Sequence, residues 1–122
     1  MPDTRLSSDI RVYALIRRVQ LGGSFATLLR KGDARGGAVL IKNIDRRTGD
    51  ARLWSEAVRG DGETFWMRTI ASRLEADVDG YIERAVQIDP DIWIVEIEDV
   101  DGARFLTEPV ERDDGAPPLL AP

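Results

Sequence analysis

The sequence predicts a single α+β domain: a mainly antiparallel sheet of five or six strands with two helices, in the order α-β-β-β-β-α-β-β. Three observations predict it. Two stretches repeat apolar residues at helical spacing, and between them four apolar runs are separated only by short links rich in Gly and Asp. The length of 122 residues, with 43% hydrophobic and 32% charged, suits one core and leaves no room for a second domain.

In the first helix, Ser7 or Ser8 can act as the cap, Asp9 sits in the first turn, and Val12, Leu15, Ile16 and Val19 form the apolar stripe. Gly22-Gly23 ends it, and Arg11, Arg17 and Arg18 lie off the stripe on a basic outer face. Strands are expected at about 24–31, 37–44, 50–58 and 64–70. The links Gly32–Gly37, Arg47–Asp50 and Gly60–Glu63 are short enough for hairpins and too short for parallel crossovers, so a meander is expected. Ala38–Ile41 is apolar at both parities, as a central strand covered on two faces would be.

Ser72 with Glu75 three residues on reads as a capping box, and Leu74, Val78, Tyr81, Ala85 and Ile88 follow at helical spacing until Pro90. Gly80, at a cost of about 1 kcal/mol relative to Ala, is read as a close approach to the sheet. Asp91–Val100 is a strand by its Ile-Trp-Ile-Val content, and Asp101-Gly102 is read as a tight turn into a short strand at 103–107. The domain is therefore expected to span 1–107, with 108–122 an acidic, Pro-rich, disordered tail.

Composition excludes whole chemistries. With no Cys and no His there is no thiol nucleophile, no imidazole base, and no zinc or haem site built on those ligands. No catalytic residue is assigned and no cofactor is expected. Residues 1–60 hold 12 basic and 6 acidic side chains, and 61–122 hold 5 and 16. The plain reading is that these charges pair across neighbouring elements; the sharper one is a basic surface that meets an acidic partner or a second copy. Arginines interrupt the N-terminal apolar stretch and no apolar run reaches a membrane span, so a cytoplasmic location without membrane contact is expected.

Alternation in the last long strand puts Trp93, Val95 and Ile97 on one side, and Ile92, Ile94, Glu96 and Glu98 on the other. Glu96 and Glu98 then leave the strand about 7 Å apart, within the span of a divalent ion or an acid and base pair. With Asp89, Asp91, Asp99 and Asp101 nearby they form the densest acidic patch, Asp91 and Asp99 being its further candidate ligands, suited without His to a hard cation such as magnesium or manganese. Solvation, or pairing with Arg52, Arg68 or Arg104, is the plainer account of the same residues. Ile92 and Ile94 need a cover: either one helix packs on each face, or a second subunit closes the patch as a homodimer.

Trp54, Trp66 and Trp93 fall inside strands and read as core or cross-strand packing. A nucleic-acid platform would need Trp54 or Trp66 open among Arg46, Arg47, Arg52 and Arg68, and the acidic second half disfavours that partner. Arg30–Asp33 and Gly60–Glu63 read as turns, lacking the spacing of phosphate or calcium loops.

Three stretches carry a family likeness: Arg30-Lys31-Gly32-Asp33, Gly37-Ala38-Val39-Leu40-Ile41-Lys42, and the specific one, Asp89-Pro90-Asp91-Ile92-Trp93-Ile94-Val95-Glu96-Ile97-Glu98-Asp99. Following an N-terminal helix, they resemble a family of small, mainly alphaproteobacterial proteins, number fourteen-ninety-one in the domain-of-unknown-function series. The resemblance covers about residues 5–107, implies a cytoplasmic single-domain protein, and supplies no catalytic residue. The expected function is a small non-enzymatic module that binds another protein or itself. The alternatives are a divalent-metal site or enzyme centred on Glu96 and Glu98, and weak nucleic-acid binding through the basic first half.

Overall fold

The computed structural model of the chain describes residues 6–111. Its elements are α1 (Ser8–Leu21), β1 (Phe25–Arg30), β2 (Val39–Asp45), β3 (Asp50–Val58), β4 (Thr64–Arg68), α2 (Glu75–Ile88), β5 (Trp93–Glu98) and a short 3-10 turn (Gly102–Phe105). The two helices and five-stranded, mostly antiparallel sheet match the predicted class.

The strand order is β1-β5-β2-β3-β4, which corrects the expected meander. β2, β3 and β4 are joined as predicted, but β5 enters between β1 and β2, antiparallel to the first and parallel to the second. The link from β1 to β2, residues 31–38, therefore crosses one strand position, about 10 Å between outer neighbours, which a loop of this length spans easily. Three contacts hold that loop to the start of β5. The Asp33 N–H donates to the Asp91 carbonyl at 2.9 Å, the Trp93 indole donates to the Asp33 carbonyl at 2.7 Å, and the Trp93 N–H donates to the Ala38 carbonyl at 2.8 Å. Gly32 and Gly37 make this possible, because a Cβ on either would lie 2.2 Å from the Asp91 carbonyl oxygen.

The expected strand at 103–107 is also corrected, to the 3-10 turn. Both sides of β5 are already taken by β1 and β2, so a returning strand has no ladder to join. Instead the Gly102 N–H donates to Asn43 Oδ1 at 2.9 Å, and Phe105 turns into the core.

A helix lies on each face of the sheet. α1 presents Val12, Leu15 and Val19 to Trp54, Trp66, Trp93, Val95, Ile97 and Phe105. α2 presents Val78, with Tyr81, Ile82 and Ala85 beside it, to Leu40, Ile44, Leu53, Ile92 and Ile94. β2 is buried on both faces as its doubly apolar pattern predicts. Each fully buried Val, Leu or Ile contributes on the order of 2 kcal/mol, so these two layers carry the stability.

Two local expectations differ. α2 begins at Glu75 with Leu74 as its N-cap, and the Ser72 hydroxyl turns to Asp77 rather than closing a box with Glu75, whose carboxylate is drawn toward Lys42. Gly80 meets only the tip of Arg84 at 3.5 Å, not the sheet. Beyond the predicted boundary at 107, Glu108 accepts from the Trp66 indole, and the Trp66 N–H and carbonyl bond to Pro109 and Glu111, so 109–111 run beside β4. The rest of the expected disordered tail, 112–122, lies outside the described residues. Among the described residues no helix is long and apolar enough to cross a membrane.

Candidate functional site

β5 is extended and its side chains alternate as predicted. Trp93, Val95 and Ile97 enter the α1 layer, while Ile92 and Ile94 enter the α2 layer with 6% and 1% of their surface exposed. Of the two covers foreseen for Ile92 and Ile94, the molecule uses its own α2. They are core, and a contact between copies cannot reach them in this arrangement.

Further along the same face Glu96 and Glu98 come together, and both are claimed by cations that sequence reasoning did not assign to them. Arg46 reaches Glu98 at 2.9 Å and Glu96 at 3.3 Å. Lys42, on β2 beside Glu96, has its ammonium 3.3 Å from Glu96, 2.8 Å from Glu75 and 2.7 Å from Asp79. The Arg52, Arg68 and Arg104 partners foreseen for the glutamates are not the ones used: Arg52 pairs with Asp50 and Arg104 with Asp99. Burial disfavours the charged Lys42, but hydrogen bonds to Asp79 and Glu75 outweigh it and hold its pKa above the ordinary lysine value. The Lys42 ammonium in turn lowers the pKa of Glu75.

A sequence signal for this network did exist. Lys42 continues a strand that is apolar at both parities, and a lysine with 5% of its side chain exposed requires carboxylates around it. The network joins basic residues of the first half to acidic residues of the second, which accounts for the charge asymmetry by pairing between neighbours. Four carboxylates against two cations still leave two negative charges in excess.

The other two predicted acids stand apart. Asp91 is exposed at the opposite end of β5. Asp99 is bound by Arg104 at 2.8 Å and by the Ser24 hydroxyl at 2.6 Å. Burial works to raise the pKa of Asp99, but bonds from Arg104, Ser24 and the Asp101 backbone prevail and bring it to about 2. Among the described residues no group of three or more acidic side chains is arranged to hold a metal ion. Trp54, Trp66 and Trp93 are each exposed by 3% or less, so none is an open stacking platform.

What the sheet leaves uncovered is its β1 end. β1 pairs with β5 on one side only, and its outer edge is open among the described residues. Its residues alternate between exposed and half-buried. Phe25 and Thr27 stand opposite Glu98 and Glu96 in the ladder, on the face that carries the anionic network. Phe25 is 71% exposed, and Leu29, in the bulge where the register shifts, is 48% exposed. An open strand edge with apolar side chains and surplus negative charge beside it is suited to pairing with an extended segment that carries apolar and basic residues.

Comparison with known proteins gives the chain its relatives. A family model described as a protein of unknown function (DUF1491) matches residues 6–107. The crystal structure of a DUF1491 family protein from Caulobacter crescentus CB15 is 68% identical, covering 88% of this chain and all of its own, with a TM-score of 0.84. The NMR structure of a DUF1491 family protein from the same organism is 66% identical over 90% of this chain and all of its own, with a TM-score of 0.81. The solution structure of a protein from A. tumefaciens is 30% identical over 86% of this chain and 95% of its own, with a TM-score of 0.73. No curated protein matches the chain.

Proposed function

This chain belongs to the DUF1491 family, and from that premise and the geometry of its sheet we propose that it is a cytoplasmic protein-interaction module. The β1 end of the sheet is its docking surface. The observation that carries this reading is the pairing of an open strand edge with a phenylalanine left 71% exposed on it. Single exposed apolar residues need no explanation, but Phe25 and Leu29 lie on the same unpaired edge. The partner contributes an extended segment with apolar side chains for Phe25 and Leu29 and basic ones for the acidic surplus at Glu96, Glu98, Glu75 and Asp79. Glu96 and Glu98 serve here as a field, already neutralised in part, and not as metal ligands.

The test compares affinity capture by the wild-type chain and by the doubly substituted Phe25→Ser, Leu29→Ser chain, with sedimentation run alongside. A partner retained by the first and lost by the second, while both sediment as folded monomers, supports the proposal. Equal capture by both chains contradicts it, and a concentration-dependent dimer of the wild type would make a second copy the occupant instead.

A further inference from the structure

On the opposite side of the sheet, between α1 and the segment that follows the 3-10 turn, lies a cleft of about 270 Å³. Val12, Leu15 and Trp66 form its floor and Leu106 part of its wall, while Arg11, Arg18, Thr107 and Glu108 make the lining polar in nearly equal part. The charged groups around it are not equivalent. Arg11 is committed to Glu56 at 2.6 Å. Glu108 uses one oxygen on the Trp66 indole and the other on the Thr107 hydroxyl, each at 2.8 Å, and its pKa is lowered: burial works to raise it, but these two bonds prevail. Arg18 differs. Its Nε donates to the Phe105 carbonyl at 3.2 Å, which anchors the guanidinium, while its two terminal nitrogens have no partner among the described residues.

We propose that this cleft binds a small amphipathic monocarboxylate, its apolar body among Val12, Leu15, Trp66 and Leu106 and its carboxylate on Arg18. The volume equals that of about nine liquid waters, which fits a ligand of about ten heavy atoms. One guanidinium fork whose terminal nitrogens meet no described residue matches one carboxylate in a bidentate pair. Glu108 repels any anion here, and a phosphate monoester, at about two negative charges, would meet about twice the repulsion that a monocarboxylate does with the same single guanidinium to offset it. An uncharged apolar molecule would gain nothing from the charge of Arg18.

The test titrates the full-length, nitrogen-15-labelled chain with octanoate and follows the Trp66 indole signal, identified by its loss in Trp66→Phe. The inference predicts a saturable shift with a dissociation constant on the order of 1 mM or tighter, and at least about tenfold weaker binding of octan-1-ol. Arg18→Gln should weaken octanoate binding by about tenfold or more, and Ala14→Phe, which puts a ring into the cleft one turn from Arg18 and keeps every charged side chain, should abolish the shift. Both positions are only partly buried, and unchanged dispersion of the remaining signals reports that the variants are folded. No shift of the Trp66 signal, equal binding of octan-1-ol, or undiminished octanoate binding by Arg18→Gln would each overturn the assignment.

Discussion

Phe25 stands directly across the β1–β5 ladder from Glu98, yet the two meet opposite fates: the glutamate is tied to Arg46 at 2.9 Å and the phenylalanine is 71% exposed. The α2 core on this face gathers residues of β2, β3 and β5 and none of β1. A phenylalanine left mostly in water, on an edge whose outer side is open among the described residues, is the central relationship in the docking proposal.

The first expectation is therefore a contrast in stability. Phe25→Ser should change the unfolding free energy by no more than about 0.5 kcal/mol, since its side chain is already in water. Ile94→Ala, on the adjacent strand but 1% exposed, should cost about 2–5 kcal/mol. Urea denaturation of the two variants beside the wild type measures both.

Lys42 should behave as the keystone of the anionic network. Lys42→Met leaves Glu75, Asp79 and Glu96 without their buried cation, and should destabilise by about 1–3 kcal/mol, because Asp79 is half exposed and Arg46 still pairs with Glu75 and Glu96. Adding Glu96→Gln to that variant removes one of the uncompensated charges and should restore part of the loss. A double variant no more stable than Lys42→Met would show that Glu96 does not depend on the lysine.

The loop that delivers β5 predicts a difference between two glycines. Gly32→Ala forces a Cβ to within 2.2 Å of the Asp91 carbonyl oxygen and 2.7 Å of the Trp93 ring, and should cost about 3 kcal/mol or more. Gly36→Ala, with nothing within 4 Å of the new atom, should lie within about 0.5 kcal/mol of wild type. Thermal unfolding of the pair separates crowding at β5 from the general effect of removing a loop glycine.

Asp99 gives an acid limb with a definite sign. Its pKa falls from the ordinary 3.8 to about 2 on folding, so the unfolded chain binds the proton first. The stabilisation is complete above the unfolded value and is lost as pH drops through the folded one, between about pH 5 and pH 2. Because Arg104 is half exposed, solvent screening reduces the effect to about 1 kcal/mol. Asp99→Asn should flatten that part of the stability profile by this amount, as measured by urea unfolding at successive pH values.

The elements of this fold were largely legible in the sequence, and its sheet order was not. Periodicity places α1, the four middle strands, α2 and β5, because each buries a face whose spacing is local. That β5 enters between β1 and β2 depends on Gly32, Asp33 and Asp91 meeting across some sixty residues, a contact without a local signature. The turn at Gly102–Phe105 lacks a local signature as well, since only the occupancy of both sides of β5 forbids a strand there. At the candidate site, alternation correctly brought Glu96 and Glu98 to one face. Their partners were missed because Lys42 and Arg46 lie in another strand and the loop after it. The exposure of Phe25 could not be read at all, because its strand looks apolar on both parities and only the sheet order puts it at an edge.

The most direct test of the docking surface is a photoreactive phenylalanine analogue installed at position 25 and, as a control, at Asp61, an exposed residue in the β3–β4 turn. Illumination inside cells should yield a discrete adduct of this chain with a second, different protein from position 25, and none of that mass from position 61. The same adducts from both positions, no adduct from position 25, or an adduct composed only of two copies of this chain would contradict the account.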